Sequence, residues 1–168
     1  VTSCSTDNFS VRPGAVTLST TPAMASGPSH AATPTVKAGA SFTLSAATST
    51  AATDGYAGTL TLDTAKLSAQ TTGQDTSQQA GGVVGTLTPA SLTANAAAVS
   101  AAYTEVGYLY LGDGAYRDDS YTSVDLAGTD CVANSVSTVA VGGLYGCAIG
   151  NSSIAFGRFI PDHFGISN

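Results

Sequence analysis

The side chains of this sequence that could do chemistry are few, and they gather in three places. Near the end, FGRFIPDHF (156–164) sets Arg158, Asp162 and His163 among Phe156, Phe159 and Phe164. Earlier, GPSHA puts Ser29 beside His30. Between them lie six of the eleven acids: Glu105, Asp113, Asp118, Asp119, Asp125 and Asp130. A His in reach of an acid could move a proton, and a Ser beside a His could act as a nucleophile. Acidic loops could hold Ca²⁺, which takes about six to eight oxygen ligands.

Spacing argues against most of this chemistry. On a strand, Phe156, Arg158 and Ile160 share one face, and Gly157 and Phe159 the other. Pro161 cannot donate to a ladder, so regular pairing ends there or runs along an edge. Asp162 and His163 then lie beyond the strand and point apart. Phe156, Arg158, Phe159, Pro161 and Phe164 are therefore read as a structural latch. Phe159 or Phe156 would anchor in the core, and Arg158 would pair with an acid such as Asp7 or Asp162.

The other two clusters fare no better. No acid near Ser29 and His30 could orient a base, and the GxSxG elbow of a strained nucleophile is absent. GDGAYR begins like a phosphate loop, but Arg117 stands where the third glycine belongs and no helix follows. DGAYRDDSYTSVD (113–125) lacks the alternating acids and sixth-position glycine of an EF-hand. Asp113, Asp118, Asp119 and Asp125 remain weak calcium candidates, with Arg117 placed to pair with one of these acids, and no cofactor is required. Asp118 and Asp119, being adjacent, face opposite sides of a strand, which disfavours paired-carboxylate hydrolysis. The sequence has no Trp, so Tyr103, Tyr108, Tyr110, Tyr116 and Tyr121 read as packing residues before sugar platforms. Lys37 and Lys66 leave one covalent option, an intramolecular Lys–Asn isopeptide bond. The expectation is a chain that is not an enzyme.

Three cysteines are present, Cys4, Cys131 and Cys147. None forms a CxxC pair and only two histidines could assist, so a zinc site is not expected. In an oxidising compartment Cys131 and Cys147 would close a loop of about 15 residues, worth roughly 3 kcal/mol by chain entropy. Cys4 is left over. It is either a buried free thiol or bonded to polypeptide outside this chain, including another subunit.

The elements that must position these residues are strands. Charged residues make up only 10% of the 168, and Ser, Thr, Gly and Ala fill the difference, a composition suited to pleated sheets and poor for helices. VKAGASFTLSAAT, GYAGTLTLD and VGYLYL alternate apolar and polar residues, as half-buried strands do. GTLT occurs at both 58–61 and 85–88, which reads as two similar strands facing one core. Ala15–Thr20 follows a Pro13-Gly14 turn after a first strand at Phe9–Val11. The Ala-rich 91–113 stretch is assigned to strands although Ala94–Ala102 could make two helical turns. DSYTSVDLAG, NSVSTVAVGG and SSIAFGRFI supply the last strands. Residues 21–35 and 68–82 are loops. The expected fold is all-β, an antiparallel, Ig-like β-sandwich, elongated and single over residues 1–168, with 68–82 as the place where a subdivision would fall.

Charge and hydropathy narrow the partners. The net charge of −6 disfavours nucleic acid and anionic membranes. No run of eighteen apolar residues is present, so no transmembrane helix is expected. A start at Val1 without a signal-peptide pattern reads as a processed or excised product.

Three stretches carry a family resemblance. CSTDNFSVRP (Cys4–Pro13), YTEVGYLYLGDGAY (Tyr103–Tyr116) and FGRFIPDHF together resemble MshQ-type proteins, which are encoded with mannose-sensitive haemagglutinin type IV pili in Gram-negative bacteria. The opening matches are Cys4, Asn8, Phe9, Arg12 and Pro13; the closing ones are Gly157, Arg158, Phe159, Pro161 and Phe164. GASFTLSAATSTAATDGYAGTLTLD is similar to bacterial Ig-like repeats. The resemblance implies an extracellular, structural or adhesion-associated module at the bacterial surface. Its partners would be other modules of a longer surface protein or identical subunits in a fibre. A fibre would grow by β-strand addition through the N-terminal segment, and a lectin-like carbohydrate-binding module is the remaining alternative.

Overall fold

The fold comes from a computed structural model, which describes residues 12–24, 36–49, 55–70 and 83–162. The strands, in chain order, are β1 (Val16–Thr21), β2 (Val36–Lys37), β3 (Phe42–Thr48), β4 (Thr59–Leu62), β5 (Leu67–Gln70) and β6 (Leu87–Thr88). They continue with β7 (Ser91–Thr93), β8 (Val99–Tyr103), β9 (Gly107–Leu111), β10 (Tyr116–Asp118), β11 (Ile149–Gly150) and β12 (Ile154–Ile160). They form three four-stranded sheets, ordered β1-β3-β8-β6, β11-β10-β4-β7 and β2-β12-β9-β5. Every pairing of named strands is antiparallel except β2 with β12. The fold is thus all-β and sandwich-like.

The alternation seen in the sequence places the core. In β3, Phe42, Leu44, Ala46 and Thr48 are buried, while Thr43 and Ala47 are exposed. One apolar cluster unites the sheets: Leu18 and Leu44 from the first, Leu60, Leu92 and Tyr116 from the second, Leu109, Leu111 and Phe156 from the third. Burying such side chains is worth about 1.5–3 kcal/mol each. The Phe159 ring lies 5.0 Å from that of Tyr103 and 5.9 Å from that of Phe42, joining the first and third sheets.

The Ala-rich stretch is strand, as expected, broken by a turn at Ala94–Ala96 rather than wound into a helix. Asn95 takes a left-handed φ of 58° there, a conformation Asn tolerates better than other branched or bulky residues. Its amide donates to the Tyr56 carbonyl (2.8 Å), and its oxygen accepts from the Thr48 amide (2.9 Å). One turn residue therefore ties the end of β3 to the approach to β4.

Two expected strands do not form. DSYTSVDLAG becomes a 3-10 turn at Ser120–Ser123 followed by loop, and NSVSTVAVGG carries only isolated bridges. Hydroxyl and carboxylate side chains bond the nearby backbone instead. Ser120 N donates to Asp118 Oδ1, Thr122 Oγ1 to the Asp119 carbonyl, and Ser137 Oγ to the Val139 carbonyl, each at 2.8 Å. Such local bonds compete with a ladder. The expected loop at 68–82 is shorter at its start, because residues 68–70 belong to β5. The rest of it, 71–82, and the expected first strand at Phe9–Val11 lie outside the described residues.

Candidate functional site

Arg12 is where distant segments meet. Its Nη1 donates to the carbonyls of Gly146 (2.9 Å) and Cys147 (2.7 Å). Nη2 lies 3.3 Å from Asp125 Oδ2, with both side chains largely buried, and the guanidinium sits 5.8 Å from the Tyr121 ring centroid. A planar cation with several fixed donors can satisfy two carbonyls and a carboxylate at once, in a fork geometry that a lysine's compact ammonium does not reproduce. The segment before β1 is thereby clasped to the loop between β10 and β11.

The same loop is closed by the expected Cys131–Cys147 disulfide, sixteen residues apart. Both cysteines are buried. Between them the chain turns sharply at Val141–Leu144, where each residue's amide donates to the other's carbonyl at 2.9 and 3.1 Å. Gly142 and Gly143 supply the positive φ values of 60° and 85° that this two-residue turn requires. The tip holds Val139, Val141 and Tyr145 in solvent at 72, 65 and 56% exposure, and Val124 and Leu126 at the loop's start are also exposed. Beside it runs an open cleft of about 310 Å³, lined by Arg12, Pro13, Val136, Tyr145, Gly146 and Ile149 among others. Between Leu126 and Ala148 the only charged side chain is Asp130, and its Oδ2 accepts from the Leu126 amide at 2.8 Å.

The four calcium candidates are dispersed in separate structural roles. Asp113 Oδ1 accepts from the Ser153 amide. Asp118 is buried and accepts from the Tyr56 hydroxyl at 2.7 Å. Asp119 pairs with Arg117 at 2.9 Å, and Arg117 also reaches Asp63 at 3.4 Å. Asp125 belongs to the Arg12 clasp. Among the described residues no three His, Cys, Asp or Glu come together as metal ligands would. Lys37 lies 2.8 Å from Asp162 and Lys66 donates to the Asp113 carbonyl at 2.7 Å, so neither amine is aimed at an Asn side chain in these contacts.

The groups with displaced pKa values are phenols, Tyr103 and Tyr116 buried and Tyr56 half-buried. Tyr116, fully buried, has its hydroxyl pushed well above the ordinary value by loss of water, while it donates to the Pro89 carbonyl at 2.5 Å. Tyr56 is raised by burial and by its bond to Asp118, and Tyr103 is raised by burial. All three are held neutral as struts between segments.

The latch differs from its sequence reading in one respect. Phe156 and Phe159 both enter the core, where simple alternation puts them on opposite faces. β12 pairs Phe156 with Leu109 and Phe159 with Gly107, so three steps on β12 match two on β9. That bulge reverses the side-chain alternation. It sits at Gly157, whose φ is 137°; a Cβ there would come 2.9 Å from both the Gly107 carbonyl and the Tyr108 ring. Arg158 is half-buried and the strand stops before Pro161. Asp162, offered above as a partner for Arg158, forms an ion pair with Lys37. Cys4, Asp7, Ser29, His30, His163 and Phe164 fall outside the described residues.

Sequence reasoning marked Arg12 within the opening motif and gave it no partner. The signal available was a lone cation before Pro-Gly in a chain with five Lys and Arg in all; its acceptors are main-chain carbonyls, which sequence does not display. No protein-family model matches this chain, and neither does any curated protein or solved structure.

Proposed function

We propose that this chain is a non-enzymatic, extracellular structural module of a bacterial surface or pilus-associated protein, spacing or displaying adhesive parts. The observation that carries the reading is the braced loop. A disulfide and a buried arginine hold a nearly uncharged tip whose Val139, Val141 and Tyr145 face water. Exposed apolar groups clustered in this way mark contact surfaces more often than solvated ones. A disulfide-closed loop suits an oxidising compartment. The acids and phenols that might have done chemistry are engaged in tying segments together. The Ig-like assignment and the MshQ-type resemblance belong to the same reading.

Adherence tests it directly. Latex beads coated with the protein should bind epithelial cells or erythrocytes better than albumin-coated beads. The variant Val139→Ser/Val141→Ser/Tyr145→Ser should lose that binding while keeping its melting temperature. Coated beads that adhere no better than albumin, or a reproducible hit in a hydrolase screen, would end this reading. A glycan-array hit would move it to the lectin-like alternative.

A further inference from the structure

The edges of the three sheets are unequal. β2, β6 and β11 span two residues each, β7 three and β5 four. Among the described residues β1 alone presents a six-residue edge, VTLSTT, without a charge, a proline or a bulge. Proteins ordinarily protect a long edge with such devices, because its unpaired backbone groups are a template for another strand.

The direction of those groups follows from the ladder. The Ser49 amide donates to the Ala15 carbonyl at 3.4 Å, and the Ser45 hydroxyl reaches the Ser19 carbonyl at 3.5 Å. Odd-numbered residues of β1 therefore turn their backbone groups toward β3, and even-numbered ones turn theirs away. Of the even positions, Val16 is bridged in parallel to Asn151, and Pro22 has no amide hydrogen. Between them lie the outward amides and carbonyls of Leu18 and Thr20. Among the described residues no strand pairs with this edge beyond the Val16 bridge.

We propose that this edge pairs with β1 of a second copy of the chain, antiparallel and two-fold symmetric about Ser19. Leu18 then lies opposite the partner's Thr20, and Thr20 opposite the partner's Leu18, closing four backbone hydrogen bonds. On the solvent face Ser19 meets its own copy and Thr17 meets the partner's Thr21. These hydroxyl and β-branched pairs are favourable across strands, and no like charges are opposed. The ladder ends at the Val16 bridge on one side and Pro22 on the other, so its length is set by the sequence. With one short edge buried per copy, the association is weak and concentration-dependent. It does not depend on the tip being adhesive, since β1 and the tip are separate surfaces.

Sedimentation velocity between ~10 and ~500 µM tests the pairing, in a Cys4→Ser background that removes any covalent link through that thiol. The expected result is reversible dimerisation. Ser19→Lys, which sets two cations against each other at the two-fold axis, should weaken it about tenfold or more. Thr20→Pro, which deletes an outward amide and leaves the β3 ladder intact, should do the same. Ser91→Lys on β7 should leave dimerisation unchanged. If circular dichroism shows Thr20→Pro unfolded, Ser19→Lys alone decides. A monomer at ~500 µM, including one whose own N-terminal segment covers the edge, overturns the proposal. So does a dimer indifferent to Ser19→Lys.

Discussion

Replacing Arg12 by alanine removes two charge-assisted hydrogen bonds to buried carbonyls and the guanidinium partner of Asp125. A bond to a charged donor is worth about 1.5–3 kcal/mol, and breaking a buried ion pair from one side costs about 3–5 kcal/mol. These losses overlap, because one guanidinium makes all the contacts, so the expected cost is about 3–5 kcal/mol for the whole side chain. In a chain of this length that lowers the melting temperature by about 10 °C. Urea denaturation of the parent, Arg12→Ala, Asp125→Asn and the double variant measures it as a cycle. The coupling between the two positions should be about 1–3 kcal/mol. Arg12→Lys should recover little, since a compact ammonium lacks the planar fork that reaches the two carbonyls from Nη1 and the carboxylate from Nη2. A change below about 0.5 kcal/mol for Arg12→Ala would refute the clasp, and zero coupling would detach Asp125 from it.

Four further outcomes are expected from the packing. Phe159→Ala should lose about 3–5 kcal/mol in the same titration, because the ring is buried between Phe42 and Tyr103. Gly157→Ala should lower the urea midpoint, since its Cβ would press on the Gly107 carbonyl and the Tyr108 ring at a φ that L residues rarely adopt. Cys131→Ala/Cys147→Ala should cost about 3 kcal/mol, read from the urea midpoint under non-reducing conditions. Alkaline pH should destabilise the fold: Tyr116 ionises near pH 10 only once unfolded, so above that pH the unfolded state holds fewer protons and stability falls. Urea midpoints at pH 8 and 11 check this, and Tyr116→Phe should flatten the difference.

What the sequence displayed well was periodicity and its punctuation. FTLSAAT, GTLTL and GYLYL alternate clearly, and each carries a strand. The Cys131–Cys147 pairing was legible from loop length and elimination. The loop from Ser120 to Gly146 was not. Its Val, Ser and Thr residues have the composition of strands, yet Ser137, Thr122 and Asp118 use their side chains on neighbouring backbone groups. Composition alone does not distinguish those two uses of a hydroxyl. The facing of Phe156 was hidden for another reason: a single inserted step at Gly157 reverses the alternation, and its evidence lies on the opposing strand. Arg12 was visible as a rare charge, but its acceptors are main-chain oxygens more than 130 positions away.

The placement of β12 has a mechanical consequence. It is an interior strand, gripped by β9 along one side and by β2 along the other, with Phe159 opposite Val36 and Ile160 opposite Lys37. A pull applied through the chain beyond Pro161, along the strand axis, loads these hydrogen bonds together in shear rather than peeling them one at a time. Resistance to extension in that geometry scales with the number of bonds loaded at once, and the two buried Phe rings must be dragged from the core in the same step. A pull across the sheet would meet the bonds in sequence and yield at lower force. The fold is therefore anisotropic under tension, stiff along β12 and compliant across it.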